Sequence, residues 1–202
     1  MAISLELAGA APNRDNSRVH ELTTERLRLR AWRPEDRTPF AALNADPEVM
    51  HHFPTLLSRR ESDAVADRIE DHFAREGWGL WAMEERSTGA FLGFTGLARP
   101  SFEAPFMPAV EIGWRLARAA WGKGYASEAA RASAACAFDD IGLEEIVSMA
   151  VAANTRSIAV MQRLGMHRDP AEDFDHPLVA EPHLRRHVLY RLTAAEWRAA
   201  SG

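Results

Sequence analysis

The chain has 202 residues, 47% of them hydrophobic, and a formal net charge of −5 with histidine neutral, enough for one domain with a sizeable core. An acidic balance without clustered Lys and Arg argues against a nucleic-acid partner, and no apolar run approaches the ~20 residues of a membrane span. The single cysteine, Cys136, cannot form an internal disulfide and sits among alanines, where a small core residue is expected. Met1 to Pro12 lacks the basic segment of a signal peptide, so a cytoplasmic protein is expected.

Residues 1–20 show no period and read as a loose N-terminal extension; residues 21–202 read as one domain. Arg26 to Trp32 alternates strictly, which predicts a half-buried strand with its arginines on the solvated face. Pro34 then opens a helix, with Glu35 and Asp36 near its positive end. Arg59 to Glu76 predicts a second helix with Val65, Ile69 and Phe73 on one face, stopped by Gly77 and Gly79. Strands are predicted over 80–83 and 91–97 around a turn-rich loop, and a loop over 100–108. A strand over 110–116, a helix over 124–138, a strand over 146–151 and a helix over 154–164 follow. A loop rich in proline and aspartate precedes a last strand over 185–192, where Tyr190 packs. This order implies an α/β (α+β) sheet with helices on its faces.

The most informative stretch is Val110 to Leu116 followed by Trp121 to Ala129. It reads as strand, short loop, glycine pair and small-residue helix. Gly122 and Gly124 stand where loop becomes helix, so the backbone can approach a ligand closely. The unpaired N–H groups of a first helical turn and its dipole favour phosphate there. The spacing is neither that of a Walker loop nor G-x-G-x-x-G, since Ser127 replaces the third glycine, so a Rossmann-type nucleotide binder has little support.

Trp121-Gly122-Lys123-Gly124-Tyr125-Ala126 resembles the acetyl-CoA pyrophosphate loop of the GNAT N-acetyltransferases, Gln/Arg-x-x-Gly-x-Gly/Ala. Gly124 and Ala126 take the last two fixed positions, and Trp121 departs from the first. The form is similar to that of the ribosomal-protein N-terminal acetyltransferase (RimJ/RimL-type) branch. Asn154 to Met166 resembles the family's second cofactor-contacting helix with its glycine stop, and His187 to Thr193 its last strand. The resemblance covers roughly residues 22–198.

The resemblance implies a mixed, curved central sheet whose middle strands splay to admit acetyl-CoA. It implies an N-acetyltransferase that moves acetyl to a primary amine, a protein N-terminus or a small amine, by direct transfer in a ternary complex. The expected cofactor-binding residues are Ile112, Gly113, Trp114, Leu116, Trp121, Gly122, Lys123, Gly124, Tyr125, Ala126, Ser127, Asn154 and Ser157. Glu111 shares a strand face with Gly113 and Arg115, and is the candidate base; an ordinary strand glutamate paired with Arg115 is the alternative. The tyrosine that often serves as acid in the superfamily is replaced by Met161, which cannot donate a proton; Ser157, three residues after Asn154, is the candidate acid. A serine bonded only to helix backbone is the alternative.

Of the eight histidines, His51-His52 and His183/His187 look metal-like, but neither pair has zinc-site spacing, so no metal is expected. The acidic residues Glu103, Asp169, Glu172, Asp173 and Asp175 could attract a cationic acceptor or simply be solvated loop. A homodimer is compatible with the sequence, and no membrane partner is expected. The competing function is a CoA-binding sensor without catalysis.

Overall fold

A computed structural model describes residues 21–201; the extension expected over 1–20 lies outside the described residues. In chain order the elements are β1 (Leu22–Thr23), β2 (Leu27–Arg30), α1 (Arg37–Asn44), α2 (Arg59–Glu76), β3 (Leu80–Glu85), β4 (Phe91–Ala98) and β5 (Glu111–Leu116). Then come α3 (Tyr125–Ala135), β6 (Glu145–Val151), α4 (Thr155–Arg163), β7 (Phe174–Asp175), α5 (Pro182–Arg185), β8 (Arg186–Thr193) and α6 (Ala194–Ser201).

The strands form one eight-stranded mixed sheet in the order β1-β2-β3-β4-β5-β6-β8-β7. All neighbours are antiparallel except β5 and β6, which run parallel and meet at a single rung, Glu111 opposite Val147. The expected splay is therefore present. β5 is paired with β4 along its length, and β6 with β8, but past that first rung the two centre strands separate.

Local chemistry explains most boundaries. At α2, the Ser58 hydroxyl accepts from Glu61 N–H while the Glu61 carboxylate accepts from Ser58 N–H, a reciprocal cap. Gly77 closes the same helix at φ 75°. Val65, Ile69 and Phe73 are buried as their spacing requires, and Trp81, Phe40, Phe94, Leu27, Leu29 and Ile112 are the large fully buried side chains around them. A second cluster joins Phe102 of the 99–109 connection to Val147, Met149 and Leu189. Cys136 and Tyr190 pack in the main core, and burial pushes the Cys136 thiol up to about 12.

Several expectations are corrected. Pro34–Asp36 is a 3₁₀ turn that leads into α1, and α3 ends at Ala135 in a π turn over Cys136–Asp140. Arg30 is not on a solvated face. It is 4% exposed and bonded to both Asp36 and Glu84, because the 3₁₀ turn after β2 brings Asp36 back to it and Glu84 stands on the neighbouring β3. Two-residue β1 and β7 are set by pairing with neighbours, which no periodicity reports. α6 was not expected, although Thr193 and Glu196 cap it reciprocally.

Candidate active site

The splay opens into a cleft of about 1070 Å³. Two groups of residues line it. The first is Trp121, Gly122, Gly124, Tyr125, Ala126 and Ser127 with the start of α4, namely Asn154, Thr155, Arg156 and Ser157, and further along Arg163. The second is the α1–α2 connection, including Glu48, Val49, His51, His52 and Phe53, beside Trp114, Arg115 and Leu116 at the end of β5.

Gly122 and Gly124 adopt φ of 75° and 83°, and Gly124 is the residue before α3. No described residue accepts a hydrogen bond from the N–H groups of 122–127. A brace on the outer side sets their direction. Arg26 Nη1 donates to the Lys123 carbonyl at 2.9 Å, and in a trans peptide the following N–H, that of Gly124, points the opposite way. Arg26 is itself held: its Nε donates to Glu128 Oε2 at 2.7 Å, its backbone N–H to Glu128 Oε1 at 2.9 Å, and its guanidinium stacks on Tyr125 at 4.8 Å. Thr24 Oγ1 also donates to Glu128, at 2.6 Å, and the Tyr125 hydroxyl donates to Glu85. Glu128, on α3, is thus the foot of the brace.

Trp121 is anchored by its indole N–H, which donates to the Leu116 carbonyl at 2.8 Å. Its ring carries two arginines, Arg156 at 4.7 Å and Arg118 at 5.0 Å. Arg118 is paired with Glu48. Charged lining therefore comprises Arg115, Arg156 and Arg163 against Glu48 alone. His52, held down to about 4 first by burial and further by neighbouring His51 and Arg156, adds no charge. Unpaired N–H groups, a helix N-terminus and the two α4 arginines, Arg156 and Arg163, suit a polyanion such as the pyrophosphate of CoA.

Asn154 is the N-cap of α4, and its Oδ1 accepts from the Ser157 N–H at 3.2 Å. Ser157 lines the cleft, and its hydroxyl makes no hydrogen bond to described residues, so it is not tied up by helix backbone. Met161 is fully buried.

Other expected site residues lie off this lining. Ile112 is in the core; Gly113 is opposite Gly96 in the sheet and its carbonyl accepts from Thr95 Oγ1 at 3.1 Å; Lys123 turns its carbonyl outward to Arg26. Glu111 is 0% exposed at the closed end of the splay, and neither carboxylate oxygen has a partner among the described residues. Burial pushes its carboxyl well above the usual range. It does not pair with Arg115: four steps along the strand set them ~13 Å apart. Arg115 instead donates from Nη1 to Asn44 Oδ1 at 2.6 Å and lies over Phe53 at 4.0 Å. Burial pushes its guanidinium down to about 9, still protonated at neutral pH.

Sequence reasoning missed Arg115, Arg156, Arg163 and the 47–53 segment as lining. Arg156, Ala159, Val160 and Arg163 repeat at helical spacing on the face that Ser157 begins, which could have found them. The 47–53 segment carries no period and is placed by tertiary contact alone.

Comparison with known proteins gives the same family along most of the chain. Residues 26–167 match the model of the acetyltransferase (GNAT) domain. A Bacillus subtilis protein, the uncharacterized YkkB, is 34% identical over 148 residues, 73% of this chain and 85% of that one. The FsC-acetyl coenzyme A-N(2)-transacetylase of Aspergillus fumigatus is 30% identical over 187 residues, 87% of this chain and 77% of that one. The fold is shared with a Vibrio cholerae spermidine N-acetyltransferase solved with CoA and spermine: TM-score 0.69, 14% identity, covering 87% of this chain and 99% of that one. With the glycine loop lining the cleft and a family match over residues 26–167, the chain belongs to the GNAT acetyltransferase family and is an acetyl-CoA-dependent acyltransferase.

Proposed function

We propose that the protein is an N-acetyltransferase of the RimJ/RimL-type branch that acetylates a primary amine in a ternary complex. The observation that carries this reading is the meeting, in one cleft, of the N–H-rich 122–127 loop and the unengaged Ser157 hydroxyl. Acetyl-CoA supplies the activated thioester. Gly122, Gly124, Tyr125, Ala126 and Ser127 offer backbone N–H groups to its pyrophosphate, with Arg156 adding charge over Trp121. Held there, the donor presents its carbonyl to an amine at high effective concentration.

Ser157 is the acid that gives a proton toward the departing sulfur. Glu111 is the base. Its position off the cleft lining supports a relay in which the amine proton reaches it through water. A carboxyl raised by burial is a better proton acceptor once ionised than an exposed one.

Met161 in the place of the usual tyrosine sustains a second reading, a CoA-binding sensor without turnover. One experiment separates them. Incubation of the protein with acetyl-CoA and a broad amine panel, followed by thiol release and mass detection, should give free CoA and an acetylated amine. Tight CoA binding with no thiol released from any amine would leave the sensor reading standing.

A further inference from the structure

Arg115 is an unusual cation for a site whose anion is a nucleotide. It is 6% exposed, lines the cleft, and makes no ion pair with any described carboxylate. Among the described residues its side chain hydrogen-bonds only from Nη1 to Asn44 Oδ1, and Asn44 is pinned in turn because its Nδ2 donates to Ser62 Oγ at 2.9 Å. The guanidinium lies over Phe53 at 4.0 Å, with Phe94 at 5.4 Å. Nε is buried without a partner, and Nη2 has none among the described residues. Nε and Nη2 form the edge with which an arginine grips a carboxylate through two parallel hydrogen bonds. A buried charge left unpaired is costly, and aromatic stacking plus one neutral amide offset only part of that.

The place of this cation identifies what it meets. Arg115 belongs with α1 and the α1–α2 connection, through Asn44 and Phe53. The phosphate-type loop, Arg156 and Arg163 belong to the other group of lining residues. In a ternary complex the amine approaches the thioester from the side the nucleotide leaves open. Of the five acidic residues that could have drawn a cationic acceptor, three are paired internally, Glu172 with Arg191, Asp173 with Arg168 and Asp175 with Arg186; Asp169 accepts from Ala171 N–H, and Glu103 does not line the cleft.

We infer that Arg115 binds a carboxylate on the acceptor, so that the preferred acceptor class is an amine that also bears a carboxylate, such as an amino acid. Asn44 and Phe53 position the guanidinium for it. This rests on the acetyltransferase reading above and deepens it. The acceptor so described is anionic at one end, and its attraction to the cleft falls with added salt.

The test uses matched probes with acetyl-CoA: phenylalanine against phenethylamine, and methionine against 3-(methylthio)propylamine, on the wild type and Arg115→Gln. The expected result is a kcat/KM for the carboxylate-bearing member higher by roughly 10- to 100-fold, the worth of a hydrogen-bonded charge pair. In Arg115→Gln the ratio should fall to about one, with CoA affinity changed by less than about twofold. The ratio compares two substrates on one protein, so partial loss of fold does not imitate it. Independently of turnover, the CoA-loaded protein should bind N-acetylphenylalanine more tightly than N-acetylphenethylamine, and Arg115→Gln should abolish the difference.

A wild-type ratio of one or below, a ratio unchanged in Arg115→Gln, or no Arg115-dependent binding of either N-acetyl product would overturn the assignment. If Arg115→Gln instead selectively loses succinyl-CoA against acetyl-CoA, the anion sits on the acyl donor and the acceptor assignment fails. Intact CoA binding in these outcomes separates this failure from failure of the acetyltransferase reading, which would show as absent CoA binding.

Discussion

Replacing Gly124 by alanine tests whether the backbone of the 122–127 loop holds the cofactor. Gly124 sits at φ 83° and ψ −2°, a left-handed conformation. An added Cβ would meet only Arg26 Nη2, at 3.3 Å, so crowding is minor. The cost is conformational, about 1–2 kcal/mol for an L-residue held in that region. Two responses are open to the variant. It can keep the conformation and lose that much stability, a Tm drop of about 2–8 °C for a domain of this size. Or it can relax, turning the 124 N–H away from the cleft, and recover the conformation only on binding. The second transfers the cost to affinity, and 1–2 kcal/mol is a factor of about 5–30 in Kd. Titration calorimetry with CoA and with acetyl-pantetheine, which lacks the pyrophosphate, reads the difference. CoA binding should weaken by about 5–30-fold while acetyl-pantetheine binding stays as in the wild type. A variant with unchanged Tm and a CoA Kd within about twofold of wild type would refute the reasoning, because neither term of the conformational cost would then exist.

Ser157→Ala should lower kcat by ~10²-fold where thiolate protonation limits the rate, with CoA affinity unchanged; wild-type turnover would return Ser157 to a helix-start role. Glu111→Gln bears on pH in two ways. Burial raises the folded carboxyl pKa, so the native state keeps a proton that the unfolded chain releases; the contribution is full below the unfolded value near about 4.3 and is lost as pH rises toward the folded value, at up to ~1.4 kcal/mol per pH unit. The stability of Glu111→Gln relative to wild type should therefore increase with pH across that window in thermal melts. In the same variant, kcat/KM should fall at neutral pH and partly recover at high pH, where the amine deprotonates unaided; superimposable profiles would remove Glu111 from the reaction. Arg26→Met should weaken CoA but not acetyl-pantetheine, since it frees the Lys123 carbonyl; equal losses for both would make the brace a general support. Gly96→Ala would place a Cβ 2.1 Å from the Gly79 carbonyl oxygen and should destabilise the fold by about 1–3 kcal/mol or more in denaturant titrations.

What could be read along the chain was local. The glycine pair before α3, the Asn154 cap and the serine three residues on are short-range patterns whose chemistry is carried by neighbours in sequence. β2 was legible by its alternation and α2 by its period of about four, while the central strands, buried on both faces, were legible as apolar runs between turn residues. Residues whose role depends on distant partners were not. Arg26 reads as one of three strand arginines until Glu128 is seen beside it, 102 positions away. Arg30 reads the same way until Asp36 and Glu84 meet it. Strand alternation correctly placed Glu111 and Arg115 on one face, but a shared face four residues apart is not contact, and Arg115 turned to Asn44 and Phe53 instead.

The single rung between β5 and β6 has a mechanical meaning. Past Glu111 and Val147 the sheet owns two interior edges, each with backbone N–H and C=O groups turned toward a gap. Such edges elsewhere are templates for foreign strands. Here the gap lies beside the cleft proposed to take acetyl-CoA, and pantetheine is a slender chain with amides of its own. Lying between the edges it would serve as an intervening strand and tie the half built on β1–β5 to the half built on β6–β8. The two halves already share one hydrophobic core, and the donor would add hydrogen bonds between their facing edges. Amide exchange should slow along β5 and β6 on CoA binding, well beyond the reach of the phosphate loop.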